Sequence, residues 1–549
     1  MRLFFKKQYF LLFFIFFLAF FVRVFMLGSL PRHLHQDEIM NGYVGRFTLE
    51  NGKDLYNNSW PVFYFDNFGD YPNIIPMYFS GVFTYLLGKS EFAIRFPIAL
   101  MGALSVFPVY QLIRKLTNSI EASLASAVFM AFSPWNIVLS RSTAEAVTGS
   151  TVILTGFFLL TQAADGINQR RNYLISTALF VLSYFLYQPF RFVVPLLFVA
   201  MVVLYWKSAS LKILTALTIL FFGLTISISL TYWGSARFKQ TSVFYFNNAV
   251  QNRIDAYAPA AGEGHNLDLK IFANKPLVYS REIIRQYFSY WSPSFLFLDG
   301  GRPFRYLVPD QGLFPIALLG LTLFVGGLVL TNREELQAQN WNPTLLLLIL
   351  WLVLITPLSA AVTLDEVPNV HRSAVFGSAL VLLFSFLYYR FSSLKKYWKL
   401  LIVAFWLVFA GETLYFFHHY IVLSPSAQAF TRYDDRTKLA KRLIEIRADY
   451  ETIIVPREIF VIYYLFYTDN YSPELAGQFQ KNLILPFVDN LRFIDSDCPS
   501  SIDIQPSTQK TLIVDMAHCD ANLQYKPEKS TVLQNATYKA YSIAVPDEK

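Results

Sequence analysis

A succession of apolar segments, each long enough to cross a hydrocarbon layer of about 30 Å, constrains this chain more than any other feature. They lie at 9–30, 92–113, 121–139, 146–164, 173–188, 192–206, 211–232, 312–330, 343–362, 371–389 and 400–420. Together they read as about eleven transmembrane helices, judged by length and near-absence of charge. Charged residues make up 15% of the chain, well below the roughly 25% of soluble domains. The fold class expected is therefore a polytopic α-helical membrane protein. The first segment follows Lys6 and Lys7, as a signal peptide would, but it is too long for one and no small-residue cleavage site follows. It reads as an uncleaved first helix.

Loop charges orient the helices. With Arg2, Lys6 and Lys7 in the cytoplasm, the inner loops carry Arg114 and Lys115, Arg170 and Arg171, Lys207 and Lys212, Arg333, and Arg390 with Lys395, Lys396 and Lys399. All but the Arg333 loop, which also holds Glu334 and Glu335, are clearly basic. The net charge of +8 is thus a consequence of topology and implies no nucleic-acid partner. The outer side receives loop 31–91, turns near 140–145, 188–191 and 363–370, a large loop 233–311, and the tail from about 421. All seven histidines fall outside or at outer helix ends. The expected location is a bacterial cytoplasmic membrane, with an extracytoplasmic C-terminal domain.

The tail changes in character. Residues 434–450, DDRTKLAKRLIEIRADY, read as an amphipathic helix, and ETIIVP, KTLIVDM and YKAYSIAV read as strands. Two domains follow from this: a transmembrane catalytic domain over 1–420 and an extracytoplasmic α/β domain over 421–549. Cys498 and Cys519 both lie in the second, where export makes a disulfide reasonable, two separate buried thiols being the alternative.

The first outer loop opens with PRHLHQDEIMNGYVGR at 31–46. On a helix, Asp37 and Glu38 point about 100° apart and cannot share one task symmetrically. Ile39, Met40, Tyr43, Val44 and Phe47 form one apolar stripe, which suggests a short helix on the membrane surface with the acids in its first turn. Three readings stay open here: acids that merely favour a helix N-terminus, a carboxylate waiting for a lipid-borne substrate, or a metal site of His33, His35, Asp37 and Glu38. Further along, Asp66, Asp70 and Tyr71, in an aromatic, Gly/Asn/Pro-rich stretch, are expected among the substrate-binding residues, and 72–87 reads as a re-entrant or interfacial helix.

An outer Asp-Glu after the first span, a tyrosine-rich loop, and SEFAIRFPIALMGALSVFPVYQLIRKL together resemble the GT-C glycosyltransferases. The likeness is to bacterial members of the protein O-mannosyltransferase and aminoarabinose transferase superfamily (glycosyltransferase family 39-like). It continues through FSPWNIVLSRSTAE (132–145), YWSPSFLFLDGGRPFRYLVPDQGLFPIALLGL (290–321) and PNVHRSAVF (368–376). The resemblance implies a polyprenyl-phosphate sugar donor, a lipid, glycan or protein acceptor, and an active site that includes Asp37 and Glu38. The aminoarabinose branch carries a Lys-Pro-Pro motif where Asp70, Tyr71 and Pro72 stand here, which argues against equating the two substrates.

A lipid phosphate leaves as a stable anion and needs cations, whereas an acceptor hydroxyl needs a carboxylate base within about 2.6–3.2 Å. Asp37 is expected as that base in a single inverting displacement, with Glu38 orienting it or the acceptor. Arg95, Arg141, Arg191, His371 and Arg372, all at outer helix ends, are the candidates for the phosphate. Arg302 and Arg305 suit surface solvation or acceptor contact, and Asp365 and Glu366 stand ready to neutralise the His-Arg pair. Arg23 and Glu412 are rare charges within spans, expected to snorkel to the outer interface. No cofactor is required by this chemistry, and a divalent metal is left open. The alternative class, a transporter or flippase of a polyprenyl-linked glycolipid, would place ionisable groups on broken helices at mid-membrane.

Overall fold

The computed structural model describes residues 2–66, 71–262, 266–331, 340–394, 399–456, 459–479, 487–501, 510–519, 525–527 and 538–543. It divides into two compact units, one of residues 1–27 and 98–427, the other of 28–97 and 428–549.

The first unit is helical. Seven of the described helices are long and apolar enough to cross a membrane: Lys7–Val24, Glu91–Thr117 (which begins in the second unit), Glu145–Ala164, Leu211–Ser229, Pro343–Ala361, Ala374–Ser392 and Lys399–Val422. An eighth is reached if Ile120–Ala131 and Pro134–Ser140, bent by 47°, form one span. The expected count of about eleven is not met on these criteria. The remaining apolar stretches are helices of 16, 15 and 16 residues, Gln169–Tyr184, Phe190–Leu204 and Ile316–Thr331. At 1.5 Å per residue such helices reach only about 24 Å. The first helix, α1 (Arg2–Val24), stops before residue 30, in a turn closed by the Leu27 amide on the Val24 carbonyl.

Charges inside this unit tie helix ends together. Arg23 is fully buried rather than snorkelling. Its guanidinium donates to Asn136 Oδ1 at 2.7 Å and to the carbonyls of Ala131 and Met130, the last residues of the Ile120–Ala131 helix. A cation there meets the negative end of a helix dipole and satisfies carbonyls that have no intrahelical partner. Glu412 does the converse: its two oxygens accept the amides of Ile316 and Ala317 at 3.1 and 3.0 Å, opening the Ile316–Thr331 helix.

The second unit joins the segment after the first helix, residues 28–97, to the tail. A division at residue 420 would separate them, yet they share one core: Leu34, Ile39, Tyr43, Phe47 and Ile94 cluster with Leu439, Ile453, Val461, Tyr463, Leu491 and Leu512. The tail contributes a six-stranded sheet in the order β2-β3-β1-β4-β6-β5, with β1 Thr452–Pro456, β2 Phe487–Val488, β3 Leu491–Ile494, β4 Thr511–Met516, β5 Tyr525–Pro527 and β6 Tyr538–Ile543. β1 runs parallel to β3 and β4, and the other pairs are antiparallel. The β-branched runs of β1 and β4 are buried almost throughout, as central strands should be. Cys498 and Cys519 form a disulfide.

Helix α2 (Gln36–Asn51) starts in a capping box built by His35 and Glu38 and ends at Gly52, whose φ of 69° is open to glycine. It is not a surface helix. Its buried residues include Glu38, Asn41, Gly42 and Thr48 as well as the apolar stripe, so most of its circumference lies in the core. Against it packs α3 (Ile74–Leu87), the segment expected to be re-entrant or interfacial. The two backbones touch where glycine faces glycine. A Cβ on Gly45 would stand 2.0 Å from the Met77 carbonyl oxygen, and one on Gly81 would stand 2.4 Å from the Gly45 carbonyl carbon. Only a missing side chain on both helices permits this approach. Gly81→Val should therefore cost at least about 1–3 kcal/mol through overpacking. Thermal unfolding of the purified protein checks this; an unchanged melting temperature would show that the contact is not tight.

Candidate active site

The two acids at the start of α2 have opposite surroundings. Asp37 has a side chain 59% exposed, with Oδ2 3.3 Å from His35 Nδ1. Glu38 is 3% exposed and saturated. Its Oε1 accepts from Arg95 Nε at 2.9 Å. Its Oε2 accepts from the His35 amide at 2.9 Å, Arg432 Nη1 at 3.0 Å and Arg95 Nη2 at 3.2 Å. Both arginines are buried, at 0% and 1% exposure. Burial by itself raises the Glu38 pKa, but Arg95 and Arg432 reverse that and hold it at about 2.

Arg95 is equally committed. Its Nη1 donates to the Pro31 carbonyl at 2.8 Å and its Nη2 to the His33 carbonyl at 2.6 Å, with Glu91 Oε2 3.9 Å from Nη1. The expectation of a phosphate contact at Arg95 is thus replaced by a structural one: it fixes the loop that leads into α2. Glu38 likewise neither touches nor orients the Asp37 carboxylate directly. It acts as a buried counter-ion and as the helix cap.

The metal reading of this motif does not fit its geometry. His33 Nε2 contacts Asp434 Oδ1 at 2.5 Å, His35 Nδ1 accepts the Asp37 amide at 3.1 Å, and Glu38 is taken by two arginines. These groups are turned to separate partners. Among the described residues the one set of clustered ligand atoms is Cys498, His518 and Cys519, whose sulfurs are bonded to each other and so offer no thiolate.

Asp66 and Tyr71 lie just inside a small closure in which the Phe65 amide bonds the Pro72 carbonyl and Tyr64 bridges Asn73. Tyr71 is buried edge-on to Tyr64, at 5.3 Å. Asp70 lies outside the described residues.

In the helical unit, Arg141 donates to the Val22 and Arg23 carbonyls at 2.7 and 3.1 Å and to the Tyr420 hydroxyl at 3.1 Å, all neutral acceptors. Arg191 donates to the Tyr184 carbonyl at 3.1 Å and stands over the Trp233 ring at 5.2 Å. His371 stacks on Tyr187 at 4.7 Å, with Nε2 3.5 Å from Glu145 Oε2. Arg372 is held by Asp365 Oδ2 at 2.5 Å and by Thr363 and the Asp365 carbonyl, so Asp365 neutralises it. Glu145, the carboxylate partner of His371, was not singled out by the sequence, although it ends the quoted stretch 132–145.

Sequence reasoning also missed Arg432, Tyr433, Asp434 and Arg436. Arg432 meets Glu38, Tyr433 packs on the His35 ring at 5.1 Å, Asp434 meets His33, and Arg436 donates to Gln36 Oε1 at 3.2 Å. No local signal marks these residues, because the pairing joins stretches nearly 400 residues apart in sequence.

With this geometry in hand, the class of protein is set by its architecture. ArnT from Cupriavidus metallidurans in the apo state matches with a TM-score of 0.53 at 12% identity, covering 98% of each chain. The same protein bound to undecaprenyl phosphate matches with a TM-score of 0.51 at 11% identity, covering 98% of this chain and 97% of that one. Residues 70–233 match the family described as dolichyl-phosphate-mannose-protein mannosyltransferase. No curated protein matches the sequence significantly. The chain is a polytopic membrane protein with the GT-C fold, and its residues 70–233 are similar to the mannosyltransferase family.

Glu38→Gln should destabilise the protein on the order of 3–5 kcal/mol, because it removes the buried carboxylate that Arg95 and Arg432 share. The pH dependence has a definite sign. A carboxyl held at about 2 when folded contributes stability above the ordinary carboxylate range, and this is lost as pH falls from about 4.5 towards 2. The stability gap between wild type and Glu38→Gln, followed by chemical unfolding, should narrow across that window. A gap constant from pH 7 to pH 3 would contradict the ion-pair account.

Proposed function

We propose that the protein is an inverting glycosyltransferase that moves a sugar from a polyprenyl-phosphate-linked donor to an acceptor hydroxyl on the outer face of the membrane. The observation that carries this reading is the split of the acid pair: Glu38 is consumed inside the protein, while Asp37, one residue earlier, presents an exposed carboxylate. Asp37 is then the general base that takes the acceptor proton as the hydroxyl attacks the anomeric carbon. The lipid phosphate leaves from the opposite face of the sugar. Arg141 and Arg191 remain phosphate candidates; the Val22, Arg23 and Tyr184 carbonyls and the Tyr420 hydroxyl that they hold are neutral acceptors. Arg372 is the weaker one, because Asp365 cancels its charge.

Two further points support the reading. The related ArnT structure binds undecaprenyl phosphate, a lipid phosphate of the chemistry required. The charges inside the spans, Arg23 and Glu412, cap helix ends instead of lining a mid-membrane path, which favours an enzyme over a flippase.

Asp37→Asn should lower turnover by about 10²–10⁴-fold, the usual contribution of a general base, while leaving folding and membrane insertion intact. The assay is purified protein in lipid with a panel of undecaprenyl-phosphate-linked mannose, glucose and aminoarabinose, scored for donor cleavage. Full turnover by the variant would remove Asp37 from the chemistry, and no cleavage of any donor by wild type would sink the reading. Orientation has its own test. Because both native cysteines are in the disulfide, a single Asp37→Cys variant should react with a membrane-impermeant thiol reagent on intact cells. Labelling only after lysis would reverse the topology.

A further inference from the structure

The tail segment 432–436 meets the acidic motif almost residue for residue. Arg432 bonds Glu38, Tyr433 covers His35, Asp434 holds His33 and Arg436 holds Gln36. One member of the motif, Asp37, is left turned outward. We propose that residues 432–436 form a clasp that positions Asp37, with Arg432 as the positioning residue acting through Glu38; this rests on the glycosyltransferase reading above.

The path of force is short and wholly within one unit. Arg432 fixes Glu38 Oε2; the same oxygen accepts the His35 amide; His35 Nδ1 accepts the Asp37 amide and lies beside the Asp37 carboxylate. Arg95 secures the approach to this point through the Pro31 and His33 carbonyls. Arg432 is itself braced, its Nε donating to Gln428 Oε1 at 2.9 Å. Each of these groups is held from more than one side, so the rotamer of Glu38 and the backbone at 35–37 have no alternative at low cost. A base displaced by about 1 Å loses on the order of a hundredfold in rate, so such bracing has kinetic consequences even though Arg432 touches no substrate. The tail is therefore a part of the catalytic apparatus and more than an appended domain.

The test uses the full-length protein in lipid, with Arg432→Met, Arg432→Lys, Glu38→Gln and the double variant Glu38→Gln/Arg432→Met. Hydrogen exchange of the peptide covering 33–41 should speed up by about tenfold or more in Arg432→Met, with the transmembrane helices unaffected, since local opening reports local stability. With whichever undecaprenyl-phosphate sugar the wild type cleaves, kcat should fall about a hundredfold while KM for the donor changes little. Arg432→Lys, which keeps a cation for Glu38, should recover part of that loss. In the Glu38→Gln background Arg432→Met should add little, because the path runs through Glu38. Unchanged exchange at 33–41, or an additive double variant, would overturn the clasp. If wild type cleaves no donor, the functional reading fails and the exchange measurement alone decides the clasp.

Discussion

The buried carboxylate of Glu38 is the contact on which the second unit depends. Placing an ionised carboxyl where water does not reach is unfavourable unless its charge and lone pairs are met. Here they are met by Arg95 from beyond α3, Arg432 from the tail and the His35 amide from the turn before α2. One side chain thereby joins three stretches of chain that are far apart in sequence. The apolar core beneath, from Leu34 to Leu512, supplies the burial that makes the ion cluster dry, and the cluster in turn fixes which face of α2 enters that core.

The helical unit solves its own charge problem by a different route. Arg23, Arg141 and Glu412 are directed at the unsatisfied ends of helices, where backbone carbonyls or amides carry partial charge. Two arginines are linked in series: Arg141 takes the carbonyls at the end of α1, among them that of Arg23, whose own side chain takes those of the Ile120–Ala131 helix. A bent pair of short helices, Ile120–Ala131 and Pro134–Ser140, is thus anchored at its break. An acid is used instead at Arg372, which pairs with Asp365, while His371 sets its Nε2 3.5 Å from Glu145 Oε2.

Much of this was legible in the sequence, and the rest was illegible for definable reasons. The apolar stretches became helices, but length separated those that qualify as spans from those of 15 or 16 residues. The tail strands follow from β-branched runs, and the disulfide joins the two cysteines of the tail. The periodicity of α2 gave its apolar stripe correctly yet said nothing about its polar face. That face is also buried, because Glu38, Asn41 and Thr48 find partners or packing there that no local pattern reveals. Arg95 looked like a phosphate ligand because an arginine at a helix end is equally suited to a phosphate or a carboxylate.

By itself the sequence determined the membrane class, the helix and strand segments, and the presence of an acid pair about 100° apart on one helix turn. These are properties of local composition and period, which need no knowledge of distant residues. Only the tertiary structure decided that Glu38 is the inward acid and Asp37 the outward one, and that residues 432–436 close over 33–38. Burial and ion pairing are set by which surfaces meet after the chain has folded back on itself, and a contact between residues 38 and 432 is written in neither stretch alone.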